Sequence, residues 1–597
     1  MRLTGVPSLL GRLPTRPSNN DKHGNDFRKA CASLSLRRFS DGFFAAQIPP
    51  CFSSKALAKN AKALGKAWDK IKSDRCTEES AYERYSVARV GHSRRPIAVV
   101  NPVAQFYLAR CISKDWVRIQ RLLARSKISL SVPELGNEGS RAISITPIKQ
   151  LNEQRLLRSA GSRYLLVSDI AQFFPSIYTH AIAWAVEGKE KAKTKAARRD
   201  KALLGNRLDE LTRYTQQNQT VGIPIGPDTS HVIAELVGTA IDVELRKKLG
   251  YWPRGYRHVD DFCFCFDTEN DAVHAYAKLA EALSTFELKV NIQKTKIVRA
   301  TDFHYDSWVH QFDSFEFAQE KARQRRDLHR FFDMAFSLAQ RFDDENVMQY
   351  ALRRVETEII KAKNWDVFAA YLMRCMDAYP NTIPGCVAII DTYHRYLRAD
   401  AFVAGSWETF VSAQVAQHAP VERHSEVAWL LWLALRVGVK VGRSAVRAMG
   451  SMQSSICLIL ALALESRGQL LVRLARNKLP RHNQPTDLFG PHWLLMYEGA
   501  AQGWLKAAED PVRGDRYFKE LIDNKVHFFD AAREPLPIFA LKQTAGTSAG
   551  NVEDLLDMDE SLYGYFEFSD ADEDYLGRRA GESVDDDTDD GNEEIEF

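Results

Sequence analysis

Between about residues 94 and 300, short β-branched and aliphatic runs alternate with helical stretches, the texture of a mixed α/β domain. Within it, Arg163-Tyr-Leu-Leu-Val-Ser-Asp169 predicts a buried strand that finishes on an acid. Further on, Gly255–Val259 and Phe262–Phe266 predict two strands flanking Asp260-Asp261, which puts that acid pair at a tight hairpin turn. The run His231–Leu249 predicts a helix entered through a Gly/Pro loop, with Asp228 placed to cap it. Beyond residue 314 the pattern turns helical, with blocks His329–Arg341, Val347–Ala362, Glu426–Val437 and Ile456–Arg467 separated by Pro, Gly or Asn. No strict period links them, so a degenerate helical array is expected, with Trp429, Trp432, Trp493 and Trp504 in its core. One amphipathic helical run, Lys55–Lys72, stands in an otherwise loop-rich, basic N-terminal stretch.

The longest apolar run, Ile456–Leu464, is far short of the roughly 18 residues a membrane span needs. No membrane partner is expected, and Met1–Ser40 lacks the apolar block of a secretory signal. Nine cysteines without a CxxC pair give neither a zinc signature nor a disulfide framework, which fits a cytoplasmic setting.

Charge sharpens the division. The 597 residues carry a formal +4, but 19 acids against 2 arginines beyond residue 550 make that segment −17. The first 550 residues hold 79 basic against 58 acidic side chains, or +21, which disfavours a uniformly neutral metabolic enzyme and points to a polyanionic partner. The expected organisation is a basic accessory segment (1–84), a mixed domain (85–313), an α-helical repeat-like domain (314–541) and an acidic tail (542–597) expected to be disordered. The tail reads either as a solubilising segment or as a nucleic-acid mimic that occupies a basic groove.

The candidate chemistry lies in three acids. Asp169 at a strand end could be a cap or a cation ligand, and Asp260-Asp261 alone could be a plain β-turn. Adjacent carboxylates repel unless a cation intervenes, and three acids can hold the two metals of an in-line phosphoryl transfer. Between them, Gln219-Thr-Val-Gly222-Ile-Pro224-Ile-Gly226 forms a loop whose backbone can approach a ligand, and no Gly-Lys-Ser/Thr makes it a Walker loop.

In that order the segments resemble the palm of a reverse transcriptase. Ser168-Asp169-Ile-Ala-Gln-Phe-Phe-Pro-Ser-Ile is similar to the first palm motif and Gly222-Ile-Pro-Ile-Gly226 to the second. His258-Val-Asp260-Asp261 resembles the Tyr-x-Asp-Asp box, with His258 in the Tyr place, and Leu288-Lys-Val-Asn291-Ile-Gln-Lys294-Thr295 resembles the fourth motif. Arg95–Val103 running into Trp116 is similar to the fingers of a bacterial subgroup. Ser176–His180, Gly188-Lys189, Gly205-Asn206 and Gly226–Ser230 resemble the abortive-infection and "unknown group" reverse transcriptases that defend bacteria against phage. The motifs cover about residues 85 to 300, and His424–Trp429 and His492–Glu498 resemble the helical region these proteins carry in place of a thumb.

The resemblance implies an α+β right-hand polymerase, fingers and palm, followed by an all-α helical-repeat-like C-terminal domain. It implies catalytic carboxylates Asp169, Asp260 and Asp261, and two Mg²⁺ ions held by Asp169, the Ile170 carbonyl and Asp260, with Asp261 a further ligand or a supporting partner. Phe174 would disfavour ribonucleotides; Gln219, Gly222, Pro224 and Gly226 would line the nucleotide; Lys294 would lie near the phosphates, and Arg141 or Lys149 would grip them. His258 reads equally as a buried structural residue or a primer contact. The implied activity is RNA-directed or template-independent DNA synthesis from dNTPs in antiviral defence. Implied partners are the DNA product, a small non-coding RNA, and a further copy of the chain or a second defence protein. The alternative is a catalytically silent RNA-binding palm whose helical scaffold acts as a phage sensor or assembly partner.

Overall fold

The computed structural model describes residues 36–71, 79–89, 93–135, 142–146, 148–302, 307–318, 320–342, 344, 346–356, 358–396, 404–480, 484–505, 510–535 and 538. The acidic tail, the basic lead-in before residue 36, Arg141 and the Lys149 side chain lie outside the described residues.

β1 (Glu83–Ala88) and β2 (Arg94–Val99) form an antiparallel hairpin, and a two-residue pair follows, β3 (Glu134–Leu135) with β4 (Ile143–Ser144). The central layer is a four-stranded antiparallel sheet of β5 (Tyr164–Asp169), β6 (Arg254–His258), β7 (Asp261–Phe266) and β8 (Lys296–Arg299), in spatial order β6-β7-β5-β8. Successive side chains of a strand point to opposite faces, so the Phe-Cys-Phe-Cys-Phe run of β7 divides. Phe262, Phe264 and Phe266 join Leu166 in the larger core on one face, whereas Cys263 and Tyr256 meet Leu151 on the other.

Helices cover both faces. α1 (Ile148–Ser159) lies over β6 and β7, and α2 (Phe173–Ser176) is a single turn just after β5. α3 (Leu204–Tyr214) precedes the Gly/Pro loop, and α4 (Asp228–Leu249) and α5 (Glu269–Thr285) pack together against the larger core. α4 differs from the expectation at its start: Asp228 is its first residue instead of its cap, and the carboxylate accepts from the Ala142 N–H at 2.8 Å.

The C-terminal half is helical through the described residues and includes α6 (His424–Val437), α7 (Ser455–Ser466) and α8 (Trp493–Ala501). α7 is apolar all round and buried from Ser455 to Leu464, and the Ser454 hydroxyl caps it. Trp429, Trp432 and Trp493 are buried in the core as expected, and Trp504 packs against it partly exposed. Helix Lys55–Trp68 stops earlier than its sequence pattern, and it buries Leu57, Leu64 and Trp68 in the same core as Trp493 and Phe518. The Trp68 indole N–H donates to the Tyr517 carbonyl at 3.1 Å, and Phe52 bridges to Phe529. Among the described residues no helix is long and apolar enough to cross a membrane.

Candidate active site

The register of the sheet assembles the acids. β5 and β7 pair from Tyr164 opposite Phe266 to Asp169 opposite Asp261, so an even alternation along both strands brings the two acids to the same end. Asp260 sits in the turn between β6 and β7, and its carbonyl accepts the Ile170 N–H at 3.1 Å. The Asp169 carbonyl accepts from Asn291 at 2.8 Å, and the Ala171 N–H donates to Lys289 at 2.9 Å, which ties the Leu288–Thr295 segment beside the first acid. Asp169 is buried, Asp260 and Asp261 are half-buried, and Ile170 is buried.

Lys294 reaches this end of the sheet: its ammonium stands 3.0 Å from Asp169 Oδ2. A cation is thus already seated on the first carboxylate. The donor set is three carboxylates and backbone carbonyls, all hard oxygens of the kind that suit Mg²⁺. Among the described residues no three His, Cys, Asp or Glu side chains converge into a closed metal cluster. The backbone therefore brings the acids together, while Asp169 is neutralised by a side chain of the protein itself.

The Gly/Pro loop docks against α2. Gly222 N–H donates to Ile177 at 2.8 Å, and Ile223 N–H donates to Phe174 at 2.9 Å. Gly222 has φ +83°, and a Cβ there would stand 3.0 Å from the Pro175 oxygen, so glycine is required for both conformation and space. Phe174 is buried, edge-on to Phe173 and His231 at 5.8 and 5.4 Å between ring centres. Pro224 and Gly226 are buried in the loop and Gln219 is exposed in the turn before it.

His258 is buried, and its Nε2 lies 3.1 Å from the Thr146 carbonyl. A carbonyl only accepts, so Nε2 carries the proton. Tyr256, two positions earlier, is buried on the opposite face from Phe264, with its hydroxyl accepting from Arg155 at 3.0 Å.

Two side chains not singled out from the sequence organise these parts. Buried Gln216 donates to the carbonyls of Gln219 and Gly222 at 2.9 and 2.8 Å, so this side-chain amide braces the loop. Arg257 is fully buried on Glu235 and Asp242 of α4. A signal for it exists in the chain: two acids seven residues apart on one face of the helix, with Gly238 and Thr239 between them.

Residues 113–317, about a third of the chain, match the family model described as "Reverse transcriptase (RNA-dependent DNA polymerase)". That segment resembles a reverse transcriptase domain. Among curated proteins no match is found. Among solved structures the chain is similar to telomerase from Candida albicans, solved with the TWJ fragment of telomeric RNA, at 12% identity and a TM-score of 0.28. The likeness covers 64% of this chain and 66% of that one, just under two thirds of its length. At that identity and score, the local geometry and the matched domain carry the functional reading.

Proposed function

We propose that the chain is an RNA-directed or template-independent DNA polymerase that uses dNTPs and acts in antiviral defence. One observation carries the chemical part: the register that sets Asp169 opposite Asp261, with Ile170 bonded to the Asp260 carbonyl, gathers three acids at one end of the sheet. Acids gathered at one sheet end, one of them already paired with Lys294, suit the binding of cations.

In this reading Asp169, Asp260 and Asp261, with the Ile170 carbonyl, hold two Mg²⁺ ions. When bound, such ions activate the attacking hydroxyl and stabilise the departing pyrophosphate. The protein's own contribution is positional. Lys294, paired with Asp169, would stand near the phosphates, and the Gly222–Gly226 backbone, braced by Gln216, would support the nucleotide. Phe174 stands at the loop's contact with α2, where its bulk would disfavour a sugar 2′-hydroxyl.

The nucleic-acid partner is supported by the +21 charge of the first 550 residues. The defence role rests on the likeness of Ser176–His180 and Gly226–Ser230 to phage-defence reverse transcriptases. The test uses the full chain: labelled dNTP incorporation with Mg²⁺, and sequencing of nucleic acid co-purified with wild type and Asp169→Asn. Incorporation by the wild type only, with product reads absent from the variant, is expected. Bound RNA without incorporation by either protein would refute the polymerase reading.

A further inference from the structure

We propose that Arg257 and Ser131 are positioning residues for the acid-bearing turn: together they hold Val259 in a left-handed backbone conformation and so fix where Asp260 and Asp261 stand. The inference rests on the reading of those two acids as catalytic.

Val259 has φ +52°, a region a β-branched residue avoids because its Cβ crowds the backbone. Both of its backbone polar groups are taken by side chains. Its N–H donates to Ser131 Oγ at 2.8 Å, and its carbonyl accepts from Arg257 Nη1 at 2.8 Å. The residue immediately before Asp260 is therefore gripped from both sides in a conformation it would not choose.

The grip is itself anchored. Arg257 Nε donates to Asp242 Oδ1 at 2.9 Å, Nη2 to Glu235 Oε1 at 2.7 Å and Asp242 Oδ2 at 2.9 Å, and Nη1 to Glu235 Oε2 at 2.9 Å. Ser131 Oγ donates its one proton to Glu235 Oε2 at 2.9 Å, which leaves a lone pair for Val259 N–H. Ser129 and Ser126 donate to Glu235 and Asp242 at 2.7 Å each. Burial alone would push the Glu235 carboxyl up; Arg257 and the serines reverse this and hold it below its ordinary range. A Cβ on Gly238 would stand 2.8 Å from Arg257 Cζ, so the helix leaves room for the guanidinium.

Buried ion triads add little stability over apolar packing of the same volume, so this one calls for another role. Beyond its carboxylates and Ser131, the guanidinium also donates to a backbone group, the Val259 carbonyl, in the turn that carries Asp260. The arrangement also links α4, which follows the Gly/Pro loop, to the segment around Ser131, which pairs with β6 through Leu130 N–H and the Arg257 carbonyl at 2.8 Å.

Ser131→Ala removes the acceptor for Val259 N–H and leaves Arg257 on its carboxylates. In the full chain it should weaken Mn²⁺ binding by about tenfold, read by titration calorimetry, and raise the half-saturating Mg²⁺ for incorporation by a similar factor. Ser131→Thr, which keeps the hydroxyl, should leave both near wild type. Val259→Gly placed in the Ser131→Ala chain should recover most of the loss, because glycine adopts φ > 0 without cost. Arg257→Lys, which keeps the charge but cannot reach both acids and the Val259 carbonyl at once, should show the same shift as Ser131→Ala. A folded Ser131→Ala or Arg257→Lys chain with wild-type Mn²⁺ affinity overturns the proposal. So does a loss that is as large in Ser131→Thr as in Ser131→Ala, or one that Val259→Gly does not repair. The Mn²⁺ isotherm reads the clamp even in a chain that incorporates nothing, so failure of the polymerase reading and failure of the clamp are told apart.

Discussion

The palm sheet and the helical half both bury ionised groups, but they spend them on different joints. In the palm, Arg257, Glu235 and Asp242 close on one another and on a single turn. In the helical half, α6 and α7 are apolar inside, and their buried polar ends reach out to the β1–β2 hairpin. Glu426 pairs with Arg94, the His424 ring accepts from Ser86 N–H at 3.1 Å, and Ser425 accepts from Ala88 N–H at 3.0 Å. Ser455 N–H donates to Glu83 at 2.8 Å. The first region uses charge to fix local backbone geometry, and the second uses it to fasten one part of the fold to another. Loss of a palm charge should therefore act on chemistry and global stability together, whereas loss of a seam charge should free the hairpin while the sheet holds.

The largest stability effect is expected from Arg257→Met. It strands two buried carboxylates and should cost about 3–5 kcal/mol in denaturant unfolding. A cost below about 1 kcal/mol would erase the contrast between the two regions.

The seam should carry a pH signature. Burial lifts the Glu83 carboxyl from 4.5 to about 7, against opposing contacts from Ser455, His424 and Ser454. Because the folded value lies above the unfolded one, its contribution is full below about 4.5 and is lost as pH rises through about 7. The total change is at most roughly 3 kcal/mol. His492, 3.9 Å from Glu83, is pushed down by burial and acts with the opposite sign, losing stability as pH falls below its ordinary 6.5. Unfolding of Glu83→Gln beside wild type at pH 5 and pH 8 isolates the glutamate: wild type should lose more stability on going to pH 8 than the variant.

Arg94→Met should cost about 2 kcal/mol by removing charge-assisted bonds to Glu426. Hydrogen exchange should quicken at the Ser86 and Ala88 amides and stay unchanged through β5 and β7. Quickening in the sheet would mean that the seam supports the palm as well. The smallest change expected in the palm is one of selectivity. Phe174→Val should raise ribonucleotide use relative to dNTPs by on the order of tenfold to a hundredfold, measured as the ratio of kcat/KM values.

Legibility in the sequence followed the range of the interactions. β5, β6 and β7 were readable because their alternation and β-branched or aromatic content are local, and Asp260 at the turn came with them, whereas Asp261, expected in the turn too, opens β7 opposite Asp169 and His258. Helix ends drifted by a few residues where capping decided them: α7 begins at Ser455 because Ser454 caps it, and Asp228 enters α4 because its carboxylate is engaged by Ala142. Arg257 was legible only through the spaced acids of its partner helix, not from its own position. In Arg-Gly-Tyr-Arg-His it occupies an ordinary alternating position, and its partners lie on a helix earlier in the chain. The packing of helix Lys55–Trp68 against Tyr517 was equally hidden, since no local pattern encodes a contact across most of the chain.

The central claim is that the acids at the end of β5 and β7 perform nucleotidyl transfer. Asp260→Asn is nearly isosteric and tests it directly in the full chain, with dNTP incorporation measured alongside melting temperature and nucleic-acid affinity. The account predicts that incorporation falls on the order of a thousandfold or more while the other two stay near wild type. Undiminished incorporation by a folded Asp260→Asn protein would contradict it.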